Sequence, residues 1–158
     1  MSSAVKKIDP STNRNNGGIH CVAIAEDDRA FRETLALYLR KKGFEIIECG
    51  DGEELYQVMV ADHQRRLSPK VELIITDVQM PHLSGLEILK IANERHWNVP
   101  IVVTTALGDI QIESESLRLG ATAVFSKPFD FDAVVATIRQ LGKLSPENKM
   151  KGKTNDLN

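Results

Sequence analysis

The sequence predicts an α/β domain in which helices cover both faces of a parallel sheet. Two observations carry that expectation. Five strand-length apolar runs alternate strictly with five segments whose apolar residues recur at helical spacing, and such alternation demands right-handed crossovers and therefore parallel strands. The run VELIIT at 71–76 is rich in β-branched residues, consistent with a strand buried on both faces. The scale fits one domain: 158 residues, 42% apolar and 27% charged. A chain of that length buries roughly 70% of its unfolded surface and folds without a metal or disulfide staple.

The elements follow in order. IHCVAIA at 19–25 is the first expected strand, and residues 29–42 form a helix with Phe31, Leu35, Tyr38 and Leu39 on one face. Gly43 stops that helix, and FEIIEC at 44–49 is the second strand. Gly50-Asp51-Gly52 turns into a helix carrying Leu55, Val58 and Met59 inward. Residues 71–76 are the third strand, followed by a loop through Pro81 and a helix with Leu86, Leu89 and Ile88 as inward candidates. Asn98 and Pro100 precede a fourth strand at 101–104. A short polar helix at 112–119 stops at Gly120, 121–126 is the fifth strand, and Phe131, Val134, Val135, Ile138 and Leu141 stripe the last helix. Residues 1–18 and 143–158 are polar and aperiodic, and are expected to be flexible tails on a folded unit at 19–142. The second of these could equally begin a linker.

Composition excludes several function classes. The apolar runs around 71–75 and 99–103 are far shorter than the ~20 residues of a membrane span, and residues 1–18 lack a secretory apolar stretch. A cytoplasmic protein is expected. Twenty basic against 22 acidic side chains, for a net charge of −2, argue against bulk nucleic-acid binding. Cys21 and Cys49 have no CxxC or zinc-ligand spacing. Starting one strand and ending its parallel neighbour, they would lie ~13 Å apart, beyond the ~7 Å Cα separation a disulfide allows. Both are expected to be free.

In such sheets ligands sit at the carboxyl ends of the strands. Glu26, Asp27 and Asp28 follow the first strand, Asp77 the third, Thr105 the fourth and Lys127 the fifth. Converging carboxylates repel one another unless a cation joins them, and Mg²⁺ suits hard oxygen ligands while leaving positions for a phosphoryl oxygen. Thr105 and Lys127 could hold further phosphoryl oxygens, leaving Asp77 to act as nucleophile in a phosphoryl transfer. Asp28 is better read as a helix cap, and His82 as an exposed loop residue.

These residues resemble the receiver domains of two-component response regulators, of the chemotaxis-response-regulator-like kind. The resemblance covers about residues 19–141 and rests on AEDDRAFR at 25–32, TDVQMPHLSGLEIL at 76–89, Thr105-Ala106 and Ser126-Lys127-Pro128-Phe129. It implies the flavodoxin-like strand order 2-1-3-4-5. It also implies Asp77 as phosphoacceptor, with Asp27, Asp77 and the Gln79 backbone carbonyl as direct Mg²⁺ ligands. Glu26 would act mainly through a metal-bound water, and the Lys127-Pro128 peptide would be cis. The implied partners are a sensor histidine kinase or phosphotransfer protein and a downstream protein target or a second copy, with no nucleic acid and no membrane.

Two departures stand out. Receivers commonly carry an aromatic residue three positions before the lysine, where this chain has Val124. Glu26 stands where Asp is commoner. Only 17 residues follow Leu141, so output is expected through the face made by the fourth helix, fifth strand and fifth helix rather than through an attached effector. An enzyme is not expected, beyond the chain's own phosphorylation and slow loss of the group. A haloacid-dehalogenase-type phosphatase would need an acid at position 79, which is Gln. A flavodoxin-like cofactor binder would need a phosphate loop where this chain places three acidic residues. A receiver-fold module that is never phosphorylated is the third alternative.

Overall fold

Five apolar runs pair into one parallel sheet in the order β2-β1-β3-β4-β5. In this computed structural model, residues 17–67 and 69–144 are described. The elements are β1 (Cys21–Ala25), α1 (Arg29–Lys41), β2 (Glu45–Cys49), α2 (Gly52–His63), β3 (Leu73–Asp77), α3 (Gly85–Glu94), β4 (Ile101–Thr105), α4 (Ile110–Arg118), β5 (Ala123–Ser126) and α5 (Phe131–Lys143). All ten expected elements are present. Of the expected tails at 1–18 and 143–158, all but four residues lie outside the described residues, and Lys143 closes α5.

The boundaries differ from the sequence expectation by one or two residues, each for a hydrogen-bonding reason. β1 starts at Cys21 rather than residue 19, because Cys21 is the first residue in register with β2, opposite Glu45. β3 starts at Leu73, the first residue paired to β1, and runs on to Asp77, which is in register with Thr104. β4 likewise reaches Thr105. α4 starts at Ile110, two residues early, because the Asp109 side chain caps it by accepting from the Ile112 N–H. β5 starts at Ala123, since the Ala121 N–H returns to Ser116 at the end of α4.

Residues alternate between the two faces, and the core divides accordingly. Val22, Ile24, Leu73, Ile75 and Val102 pack with Leu35, Leu39, Val134, Val135 and Ile138 of α1 and α5. Ala23, Ala25, Ile74, Ile101 and Val103 pack with Leu55, Met59, Ile88 and Leu89 of α2 and α3, with Ile112 and Leu119 of the α4 region against them. β1, β3 and β4 are buried throughout, while β2 and β5 form the edges. Leu86 is only partly buried, whereas Ile88 and Leu89 are buried. Cys21 and Cys49 are buried free thiols at opposite ends of the β1/β2 register. Burial, reinforced by nearby carboxylates, pushes their pKa values up to about 11 and about 12.

Two glycines fix the approach of the loops. A Cβ on Gly85 would lie 2.4 Å from the Asp77 carbonyl oxygen, and one on Gly52 would lie 2.0 Å from that of Leu83. Only a residue without a side chain lets α3 start directly beside the end of β3. Ser84 completes a capping box with Glu87 at that same point.

Candidate functional site

The alternation that divides the core also aims the site residues. Glu26 continues the row Val22-Ile24, Asp77 the row Leu73-Ile75, and Lys127 the row Ala123-Phe125, all on the α1/α5 side of the sheet. Their strands end level with one another, so three side chains from distant parts of the sequence meet. The Lys127 ammonium donates to Glu26 Oε2 at 2.8 Å and to Asp77 Oδ2 at 2.7 Å. Glu26 is 3% exposed and Asp77 8% exposed, so this ion pair sits where solvent screens it little.

Local backbone contacts hold each group. The Glu26 N–H donates to the Cys49 carbonyl, and its Oε1 accepts from the Asp28 N–H at 3.1 Å. Arg32, one turn into α1, donates from Nη1 to the Glu26 carbonyl at 2.8 Å. Asp77 Oδ1 accepts from the Gln79 N–H at 3.1 Å. The Lys127 N–H donates to the Thr105 carbonyl at 2.8 Å, and the Lys127-Pro128 peptide is cis, as the resemblance implies.

Glu26, Asp27 and Asp77 each offer a carboxylate oxygen, all within 4.8 Å of one another. Asp27 is exposed at the mouth of the cluster. An open cleft lined by Asp27, Gln79, Met80, Pro81 and Ser84 adjoins it. Burial pushes the Glu26 carboxyl up to about 7, helped by its hydrogen bond and repulsion with Asp77 and opposed by Lys127 and the Asp28 N–H. For Lys127, burial alone would lower the pKa. Asp77 and Glu26 more than offset it and hold the ammonium above the ordinary lysine value.

Thr105 and Thr104 are both buried; alternation places Thr104, in register with Asp77, in the row of Val102 on the α1/α5 side, and Thr105 in the row of Ile101 and Val103 on the α2–α4 side. Thr105 stands at the very end of β4 opposite Ser126, and its hydroxyl donates to the Ala106 carbonyl at 2.9 Å. Asp28 is the N-cap of α1, accepting from the Phe31 N–H at 3.1 Å, and His82 is an exposed loop residue. Sequence reasoning passed over Arg32 and Phe31 as site residues. The latter places its ring 4.7 Å from the Lys127 ammonium.

The family model that matches residues 22–139 is the response regulator receiver domain. The chain belongs to the response regulator receiver family. This receiver is 32% identical over 131 residues to the transcriptional regulatory protein FixJ of Azorhizobium caulinodans, covering 82% of this chain and 59% of that protein. It is 25% identical to sporulation initiation phosphotransferase F of Bacillus subtilis, covering 75% of this chain and 90% of that one. The full-length FixJ structure from B. japonicum superposes with a TM-score of 0.72 at 28% identity, over 84% of this chain and 62% of that one. The receiver thus spans a little over half the length of the first curated relatives it matches. Among the described residues no helix is long and apolar enough to cross a membrane.

Proposed function

We propose that this receiver accepts a phosphoryl group on Asp77 from a histidine kinase or phosphotransfer protein in a two-component relay. The observation that carries the reading is the Lys127 ammonium bridging Asp77 and Glu26, with Asp27 alongside in one oxygen-rich cluster. An Asp77 oxygen attacks the donor's phosphorus and a P–O bond forms. The donor's P–N bond breaks, and the departing imidazole takes a proton from water. Lys127 moves its hydrogen bond from the carboxylate to a phosphoryl oxygen. Thr105, at the end of the adjoining strand, turns its hydroxyl from the Ala106 carbonyl to another.

The donor set fits Mg²⁺: hard carboxylate oxygens of Asp27 and Asp77 with the Gln79 carbonyl, and Glu26 acting through water. When bound, the ion neutralises the carboxylates and the incoming phosphoryl charge. Asp27 and Asp77 orient it, and Lys127 balances the charge that remains.

Output is assigned to the α4–β5–α5 face, reaching a downstream protein or a second copy. Leu107 and Ile110 stand 77% and 74% exposed at the start of that face, close in sequence to Thr105. Val124, in place of an aromatic residue, packs half-buried against the α2–α4 side of the core. Any rearrangement on phosphorylation therefore runs through Thr105 and α4 without an aromatic rotation.

The test is intact mass after incubation with acetyl phosphate, with and without Mg²⁺, for wild type beside Asp77→Asn. The proposal expects one added phosphoryl group that needs Mg²⁺ and vanishes in the variant. Equal modification of both proteins would refute it.

A further inference from the structure

We propose that Phe31 is a positioning residue for Lys127, its ring holding the ammonium in line between Glu26 and Asp77. The inference rests on the phosphoacceptor reading above and deepens it.

Lys127 leaves from the end of β5, an edge strand whose residues are all only half buried. A four-carbon stem carries large rotamer freedom, so two carboxylates alone leave the ammonium free to swing between them. Phe31 removes that freedom. Its ring centroid lies 4.7 Å from Lys127 Nζ, inside the ~6 Å reach of a cation–π contact. Among the described residues this is the shortest such contact, ahead of Lys42 over Tyr38 at 5.4 Å and Arg95 over Tyr56 at 5.5 Å.

The ring is itself held fast. It meets Phe129 and Phe131 edge to face, at 5.6 and 5.9 Å and 84° in both cases. Phe129 follows the lysine by two residues, so the segment that carries the ammonium also buttresses the ring beneath it. On the other side, the Phe31 N–H is pinned by the Asp28 cap. The acidic loop that supplies Glu26 and Asp27 therefore delivers the lysine's support as well. A leucine at 31 would preserve the apolar contact with α5. It would lose the negative ring face, and an apolar floor alone desolvates an ammonium without attracting it.

The test uses the full chain with acetyl phosphate and Mg²⁺, in wild type, Phe31→Leu and Phe31→Tyr. It is joined to NMR of the Lys127 ε-methylene, which a ring at this distance shifts upfield. Phe31→Leu should slow phosphorylation roughly fivefold and abolish the upfield shift, and Phe31→Tyr should restore both. Wild-type rates in Phe31→Leu, or an unshifted ε-methylene in wild type, would overturn the proposal. If Phe31→Leu does not fold, the wild-type shift and the Phe31→Tyr rate decide. If wild type takes up no phosphoryl group, the phosphoacceptor reading fails, whereas the shift still decides the inference: present supports it, absent overturns it.

Discussion

Glu26 concentrates the electrostatics of the site. Its carboxyl is raised from 4.5 to about 7 by burial and by Asp77, so between those values the folded chain holds a proton that the unfolded chain has lost. The stability this contributes is fully present below pH 4.5 and is lost as pH rises through 7. Urea unfolding of the metal-free protein should therefore show stability falling across that window, with the Glu26 contribution to the slope removed in Glu26→Gln. Mg²⁺ needs the ionised carboxylate, so apparent affinity should fall by up to about tenfold per pH unit below 7, measured by titration calorimetry. Glu26, Asp77 and Lys127 were legible in the sequence because each directly follows an apolar strand run, where the topology alone brings strand ends together. Arg32 and Phe31 were not: the apolar period puts Phe31 on the packed face of α1 without telling that this face reaches Lys127, and no pattern aims the Arg32 guanidinium back at the Glu26 carbonyl. The Thr105 hydroxyl's bond to Ala106 was equally invisible, being a rotamer choice.

At the scale of elements, the site depends on how closely α1 and α3 approach the strands they follow. Gly85→Ala would force a Cβ against the Asp77 carbonyl, and should destabilise the fold by about 1–3 kcal/mol while moving the carboxylate that ends β3. Asp28→Ala removes the α1 cap and should cost about 1 kcal/mol, together with some of the order of the acidic loop. Chemical denaturation checks both. The helical and strand periods were readable because α1, α2, α3 and α5 each bury an apolar stripe and the three central strands are buried on both faces, whereas in α4 only Ser116 is fully buried. The boundaries were less so. Asp109 and Ser84 cap their helices with patterns present in the sequence, and the S-x-x-E at 84–87 could have set the start of α3. The start of β3 was harder to read, because Val71 has the strand-forming character of Leu73–Ile75 and the charged Glu72 between them does not mark where pairing begins. Glu72 still donates its N–H to the Cys21 carbonyl and accepts the His20 and Cys21 N–H groups on its carboxylate, whereas the Val71 N–H turns away to the buried Asp62 carboxylate.

Across the whole molecule, the parallel sheet separates a sealed core from the acidic cluster at the carboxyl ends of its strands. Cys21 and Cys49, buried and with raised pKa values, should resist thiol reagents in the native protein and react fully in denaturant. Reaction under native conditions would contradict the core described here. The proposed output through the α4–β5–α5 face makes a further demand: Ile110→Asp should weaken phosphorylation-dependent association, read by light scattering or partner pull-down, without changing phosphoryl uptake. The central claim is narrower than either, namely that Asp77 is the residue modified. Borohydride reduction after phosphorylation converts an aspartyl phosphate to homoserine, and peptide sequencing then locates it. Homoserine at position 77 alone, and only when donor and Mg²⁺ are both present, is the predicted result; an unaltered Asp77 beside modification at any other residue would contradict it.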